Sequence, residues 1–336
     1  MKTKIVYVVS SNETDVYLEQ ALLSVFSLRK HNPNAYVELV VDQDTDATIT
    51  GKREEILKYI DHKVVVNIPE EYNNLSRSRW LKTSLRQHIK GVFLYIDADT
   101  IITDDLSEID SFPFSLGAVI NAHVPICLRK NTFYMKKIKK NALEEGWNCS
   151  DEIPFFNSGV LFVKDTTESY EFFSSWHKTW NDFYIRYGRL ADQAPLAATN
   201  EQFNYMIKEM SGTWNCQVAL NGISYLANAK IMHYLMYNKY SYPWIFYNHE
   251  ILTEIKELGS ISDKISKLVD EAKSSFDVPN MIISGEDLEC LKYKKFLQTP
   301  LFSICKANRS IFSLFNNTAK LTQKAIVLKH RIQGLL

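Results

Sequence analysis

Two aspartates, Asp97 and Asp99, flank a single alanine directly after the apolar run Val92-Phe-Leu-Tyr-Ile96. Residues i and i+2 of an extended chain point the same way, so both carboxylates can address one object. Paired hard oxygens suit Mn2+ or Mg2+, and such an ion suits a diphosphate. The spacing alone is weak. The chain of 336 residues carries 18 Asp, so chance supplies about one Asp-x-Asp, and three are present. The other two, Asp42/Asp44 and Asp44/Asp46, form a polar run that reads as a solvated turn. Only Asp97/Asp99 follows a run that reads as a fully buried strand, and in open α/β sheets ligands bind just beyond the carboxyl ends of such strands.

A metal held by two carboxylates needs more ligands. His233 ends the apolar segment Ala229-Lys-Ile-Met-His233 as Asp97 ends its own. It is either a further ligand or a histidine satisfied inside the fold. Asn157-Ser158-Gly159 reads as a polar turn before the buried strand Gly159–Val163, with Gly allowing close backbone approach to a ligand. Asp192-Gln193 sets a carboxylate beside a carboxamide at a helix start, where Asp192 is either a functional acid or a cap. Arg79, with Arg77 and Lys82 nearby, places a cation that could neutralise a leaving diphosphate or pair with an acid in the sheet.

The segments that must position these residues alternate. Ile5–Val9, Val37–Val41, Val64–Ile68, Val92–Ile96 and Leu116–Ala122 read as strands. Tyr17–His31, Arg79–Ile89 and Glu168–Trp180 read as helices, the last with an aromatic stripe assigned to the core. This rhythm argues a mostly parallel sheet with helices on both faces. P-loop and GxGxxG fingerprints are absent from the sequence, so the phosphate-binding folds that use them lose support. Residues 251–276 read as a charged, amphipathic helical region.

Net charge is zero but uneven. From Cys290 to Leu336 there are nine Lys/Arg and no Asp/Glu, while the remainder carries 30 basic and 39 acidic residues. Leu321, Ala325, Leu328, Ile332 and Leu335 share one helical stripe edged by Lys320, Lys324 and Arg331. A basic amphipathic surface docking on anionic lipid is preferred to a packed terminal helix, because acidic residues are absent rather than few. The five scattered Cys match no zinc spacing and read as reduced, mostly buried thiols. The apolar run at Ile5–Val9 is too short for a signal peptide, and none reaches the ~18 residues of a membrane span. The expectation is a cytoplasmic protein, peripheral on the inner membrane face.

The order Leu94-Tyr-Ile-Asp-Ala-Asp-Thr100, Asp104-Asp-Leu106, Phe156-Asn-Ser-Gly-Val160, Asp192-Gln193, Trp214-Asn215 and His233 resembles the nucleotide-sugar glycosyltransferases of family 8, over about residues 3–244. The resemblance implies a GT-A (Rossmann-like) α/β fold in residues 1–245, while residues 246–336 read from their own pattern as a helical region that is basic from 290. It also implies a UDP-sugar donor, Mn2+ (or Mg2+), and transfer of a hexose with retention. By motif match, Asp97, Asp99 and His233 would bind metal, and Asp192, Gln193 and Asn157 would surround the transferred sugar. Ser10, Asn12, Arg79, Ala98 and Lys239 would join the two aspartates in holding the donor. The sequence departs from the family pattern after His233, where Met236 replaces a Gly and Pro243-Trp244 come late. Ser10-Ser-Asn12 also stands where many relatives carry Asp. The expected acceptor is a saccharide or glycolipid of cell-surface polysaccharide or lipopolysaccharide assembly, and no nucleic acid is expected. Two alternatives stand beside this reading. A sugar nucleotidyltransferase would need a Gly-rich, basic loop where Ser10-Ser-Asn-Glu-Thr14 lies. A non-catalytic membrane- or nucleic-acid-binding module would not need the intact acid–His set.

Overall fold

The computed structural model describes residues 1–218, 220–234 and 249–275, with isolated positions between 308 and 321. The chain divides into two compact units, Met1–Asn280 and Met281–Leu336. Most of the basic tail, Lys239 and Pro243-Trp244 lie outside the described residues.

In chain order the first unit runs β1 (Lys4–Val9), α1 (Tyr17–His31), β2 (Val37–Asp42), α2 (Gln43–Thr48), β3 (His62–Val66), α3 (Asn74–His88), β4 (Phe93–Ile96), β5 (Thr100–Ile102) and β6 (Leu116–Ile120). It continues with α4 (Ile126–Arg129), α5 (Phe133–Glu145), β7 (Phe156–Val163), α6 (Thr167–Tyr187), α7 (Gln193–Gln202), β8 (Lys208–Glu209), β9 (Cys216–Gln217), β10 (Ile231–His233), α8 (His249–Leu258) and α9 (Asp263–Asp270). The main sheet has the order β3-β2-β1-β4-β7-β6-β8, with β1 parallel to β2 and β4, and β7 antiparallel to β4 and β6. Here the α/β expectation holds: a mixed, mostly parallel sheet flanked by helices. The strand order reverses between β1 and β4, the switch point at which such sheets open a crevice.

A second sheet, β5-β10-β9, sits against α1 and shares its apolar core. Leu252 and Ile255 of α8, and Ile265 and Val269 of α9, belong to that same core. On the other face α3 and α6 cover the main sheet, and of the expected aromatic core stripe Tyr170, Phe173, Trp176 and Trp180, the last three are buried, whereas Tyr170 is exposed with Arg86 over its ring. Among the described residues no helix is long and apolar enough to cross a membrane, and Cys127, Cys149 and Cys216 are free thiols, of which Cys216 is buried, Cys149 half-buried and Cys127 exposed, so they are not mostly buried as expected.

Several local expectations are corrected. The Asp42–Asp46 run is not a solvated turn. Asp42 is buried and caps α2, accepting from Thr45 N at 2.6 Å and Ser10 Oγ at 2.7 Å. Helix α3 starts at Asn74, five residues before the expected Arg79, because Asn73 caps it. Asn157-Ser158-Gly159 is not a turn before a strand; all three residues lie inside β7. The β6–β7 register shifts between Ala118 and Val119, opposite this segment, so the strand bulges where β4 ends.

Candidate active site

The site begins where β4 runs out. Asp97 N donates to Gly159 O at 2.7 Å, and Thr100 Oγ1 donates to Asp97 O at 2.8 Å. The link 97–99 thus bridges the main sheet and β5. β5 pairs antiparallel with β10, Thr100 opposite His233, and Tyr234 N donates to Asp99 O at 3.1 Å. This pairing brings His233 Nε2 to 3.1 Å from Asp99 Oδ1 and 3.9 Å from Asp97 Oδ2. One ligand atom from each of the three side chains lies within 4.8 Å of the others.

A hydrogen-bond relay sets the imidazole's polarity. Asn157 Oδ1 accepts from Gly159 N at 2.9 Å and from Asn215 Nδ2 at 2.9 Å. Asn215 therefore turns its oxygen to His233 Nδ1, 2.8 Å away. The network assigns the proton to Nδ1, so the Nε2 lone pair faces the two carboxylates. Two carboxylates and an imidazole lone pair, the imidazole oriented by a carboxamide behind it, are the donor set of a divalent cation. Burial pushes the Asp99 carboxyl up, but the His233 charge and bond outweigh it and hold Asp99 below the usual carboxylate range.

The opposite wall is cationic. Lys82, 4% exposed, lies 3.0 Å from Asp97 Oδ1, 3.0 Å from Asp192 Oδ2 and 3.2 Å from Ser158 Oγ, and its ammonium sits 5.1 Å from the centre of the Tyr95 ring. Tyr95 donates its hydroxyl to Asp97 Oδ1. Burial, then the Asp97 charge and bond, push the Tyr95 phenol well above its usual range, so it stays a donor. Arg79 Nε lies 3.6 Å from Asp192 Oδ1, and Ser158 Oγ donates to Asp192 Oδ2 at 2.9 Å. Asp192 occupies the cap position of α7, yet its side chain makes no capping bond. Burial would raise its carboxyl, but the Lys82 and Arg79 charges and the bonds from Lys82 and Ser158 drive it far below the usual range. Three carboxylates face two cations, leaving one net negative charge; a divalent ion would reverse that sign and favour a diphosphate.

Residues 8–246 match the family model "Glycosyl transferase family 8". The chain belongs to glycosyl transferase family 8. Among solved structures, the WbbM bifunctional glycosyltransferase is 14% identical with a TM-score of 0.52; the alignment covers 80% of this chain and 51% of that one. This chain thus spans about half the length of WbbM, and the likeness is one of fold, GT-A-like. The galactosyltransferase LgtC, in complex with donor and acceptor sugar analogues, is 16% identical over 79% of this chain and 99% of its own, with a TM-score of 0.49. Mouse xyloside xylosyltransferase 1 is 14% identical over 69% and 97% of the two chains, with a TM-score of 0.45. Among curated proteins none matches the sequence.

In this family 8 transferase a cleft of about 260 Å3 opens at the switch point between β1 and β4. Ser10, Arg79, Asp97, Ala98 and Asp99 line it, together with Tyr17 and Gln20 of α1. Asn12 does not line it. Its Oδ1 closes its own turn, accepting from Thr14 N and Oγ1 and from Asp15 N. Gln193 Oε1 accepts from Tyr134 at 3.2 Å. Asn157 is buried in the relay behind His233. Tyr95 takes no role from the sequence, whereas Lys82, one helical turn after Arg79 on α3 and named beside it, is the cation that pairs with acids at the sheet, Asp97 and Asp192. Tyr95 read only as strand, because its ring is buried in the core while its hydroxyl reaches Asp97.

Proposed function

We propose that this family 8 enzyme moves a hexose from a UDP-sugar to a saccharide or glycolipid acceptor, with a divalent metal and with retention of configuration. The observation that carries the reading is the Asp97–Asp99–His233 cluster with its imidazole lone pair aimed inward. Asp97, Asp99 and His233 would hold Mn2+ or Mg2+, which supplies Lewis-acid neutralisation of the leaving diphosphate. The remaining work falls to the chain's own groups. Lys82 ties the metal-side carboxylate Asp97 to the sugar-side carboxylate Asp192 and fixes their separation. Asp192 has one oxygen facing Arg79 and the other bonded by Lys82 and Ser158. A carboxylate so engaged is a weak nucleophile and a good fixed counter-charge. It is therefore read as stabilising the oxocarbenium-like transition state by charge. Gln193, held by Tyr134, would contact the sugar or the incoming hydroxyl. The basic segment after Cys290 is read as an attachment to anionic membrane, on its charge pattern alone.

The test is a panel of UDP-sugars assayed for UDP release with and without Mn2+. Asp99→Ala should abolish release. Metal-independent release, or full activity in that variant, would overturn the proposal.

A further inference from the structure

The inner faces of α4 and α5 are packed: Ile126, Met135 and Ala142 form one apolar cluster with Phe183 of α6 and Ala194 and Ala197 of α7. Their outer faces carry what a soluble surface usually hides. Leu128 is 78% exposed, Phe133 86% and Leu143 84%. On α5, Phe133, Lys137 and Lys140 recur at i, i+4 and i+7, with Lys136 and Leu143 beside them, opposite the buried Met135 and Ala142. Lys130 and Lys139 are paired to Asp151, whereas Lys136, Lys137 and Lys140 are exposed or solvent-facing and have no carboxylate partner among the described residues.

We infer that the outer face of α4–α5 docks on an anionic lipid bilayer, with Leu128 and Phe133 entering the headgroup region and Lys136, Lys137 and Lys140 meeting the lipid phosphates. Large apolar side chains flanked by long cations are the composition of an interfacial helix, whose lysines can lay their stems on the membrane while the ammonium stays in water. A protein partner fits less well, because interfaces deplete lysine at their core. A glycan fits less well, because exposed leucines offer it no hydrogen bonds. The face adjoins the site, since Tyr134 on α5 reaches Gln193. A docked enzyme would therefore present its reaction centre to an acceptor carried in the same bilayer. The inference uses only this surface and does not depend on the donor assignment.

The test uses the full chain and vesicles of phosphatidylcholine with or without phosphatidylglycerol. Lys136→Glu/Lys137→Glu/Lys140→Glu should weaken partition onto the anionic vesicles by at least about a hundredfold, roughly fivefold for each lysine lost, before the repulsion of the new carboxylates is added. Phe133→Ser/Leu128→Ser should weaken it further, while UDP-sugar hydrolysis in solution stays unchanged in both. Cys127 is exposed and adjoins Leu128. With Cys149, Cys290 and Cys305 replaced by Ser, a polarity-sensitive fluorophore on it should shift to the blue on anionic vesicles, and Cys127→Ser in that background should remove the signal. Partition within twofold of the parent in the lysine variant, or no blue shift on vesicles that bind the protein, would overturn the inference. Loss of hydrolysis without loss of partition would count against the transferase reading and not against this one.

Discussion

Gly159→Ala is a sharp test of the site geometry. A Cβ at this position would lie 2.2 Å from His233 Cε1, 2.8 Å from Asp97 Oδ2 and 2.9 Å from Asn157 Oδ1. Non-bonded carbons settle at about 3.5–4.0 Å, so the imidazole must retreat by roughly 1 Å or more. It cannot do so freely: Asn215 holds Nδ1, and β5 and β9 flank β10. Asp97 is likewise held, by Lys82 and Tyr95. A misplacement of that size costs about a hundredfold in rate, and overpacking costs ~1–3 kcal/mol of stability. The assay is Mn2+-stimulated UDP release, with the thermal midpoint measured on the same samples. Gly188→Ala is the control. Gly188 ends α6 at φ +64, and its Cβ would meet nothing within 4 Å. It should lose ~1–2 kcal/mol from left-handed strain while keeping full activity below its midpoint. A folded Gly159→Ala enzyme within threefold of the parent would refute the reasoning.

Other outcomes follow from the same geometry. Lys82→Met should abolish transfer and cost ~3–5 kcal/mol, because Asp192 is left buried without its nearest cation; adding Asp192→Asn should restore the thermal midpoint but not activity. Asn215→Ala should raise the Mn2+ concentration for half-activation by about 10–100-fold, since His233 loses the partner that fixes its proton. His177 packs against Trp80 and Trp180 and bonds Thr83 Oγ1 at 2.8 Å. Burial first, then the neighbouring His88, lower it from 6.5 to about 4. It is neutral in the folded chain where the unfolded chain takes up a proton. Stability should therefore be full above about pH 6.5 and decline as pH falls toward 4. Urea unfolding across that range should show a shallower slope for His177→Phe, and an unchanged slope would contradict the assignment.

Much of this arrangement is legible in the sequence, for physical reasons. The limits of α1 follow from its apolar period and the Asn32-Pro33 stop, and they coincide with the observed Tyr17–His31. The aspartate pair stands out because a wholly buried strand precedes it. What escaped was polar burial. Arg77, Lys82 and Arg86 are buried in α3 through Asp44, Asp97 with Asp192, and Asp165, so the helix's inner face looks charged in sequence. Asp42 reads as solvent-facing for the same reason, its partners Ser10 and Thr45 lying on different elements. Asn157 and Asn215 are 58 residues apart and meet because the segment leading into β9 packs against the bulged β7. Periodicity reports which residues avoid water, not which charges find one another.

The antiparallel match of β5 with β10 has a consequence in time. His233 and Asp99 are 134 positions apart in the chain, so the carboxylates leave the ribosome long before their imidazole exists. Over those 134 residues of synthesis the nascent enzyme carries two acids at an open strand end with only Lys82 and Tyr95 to engage Asp97. Such a half-site holds a cation weakly, and full affinity arrives only when the second sheet closes. Capture of the proposed metal would then be a late folding event. It would reward chains that have docked β10 correctly and add its binding energy to a contact that spans 134 residues.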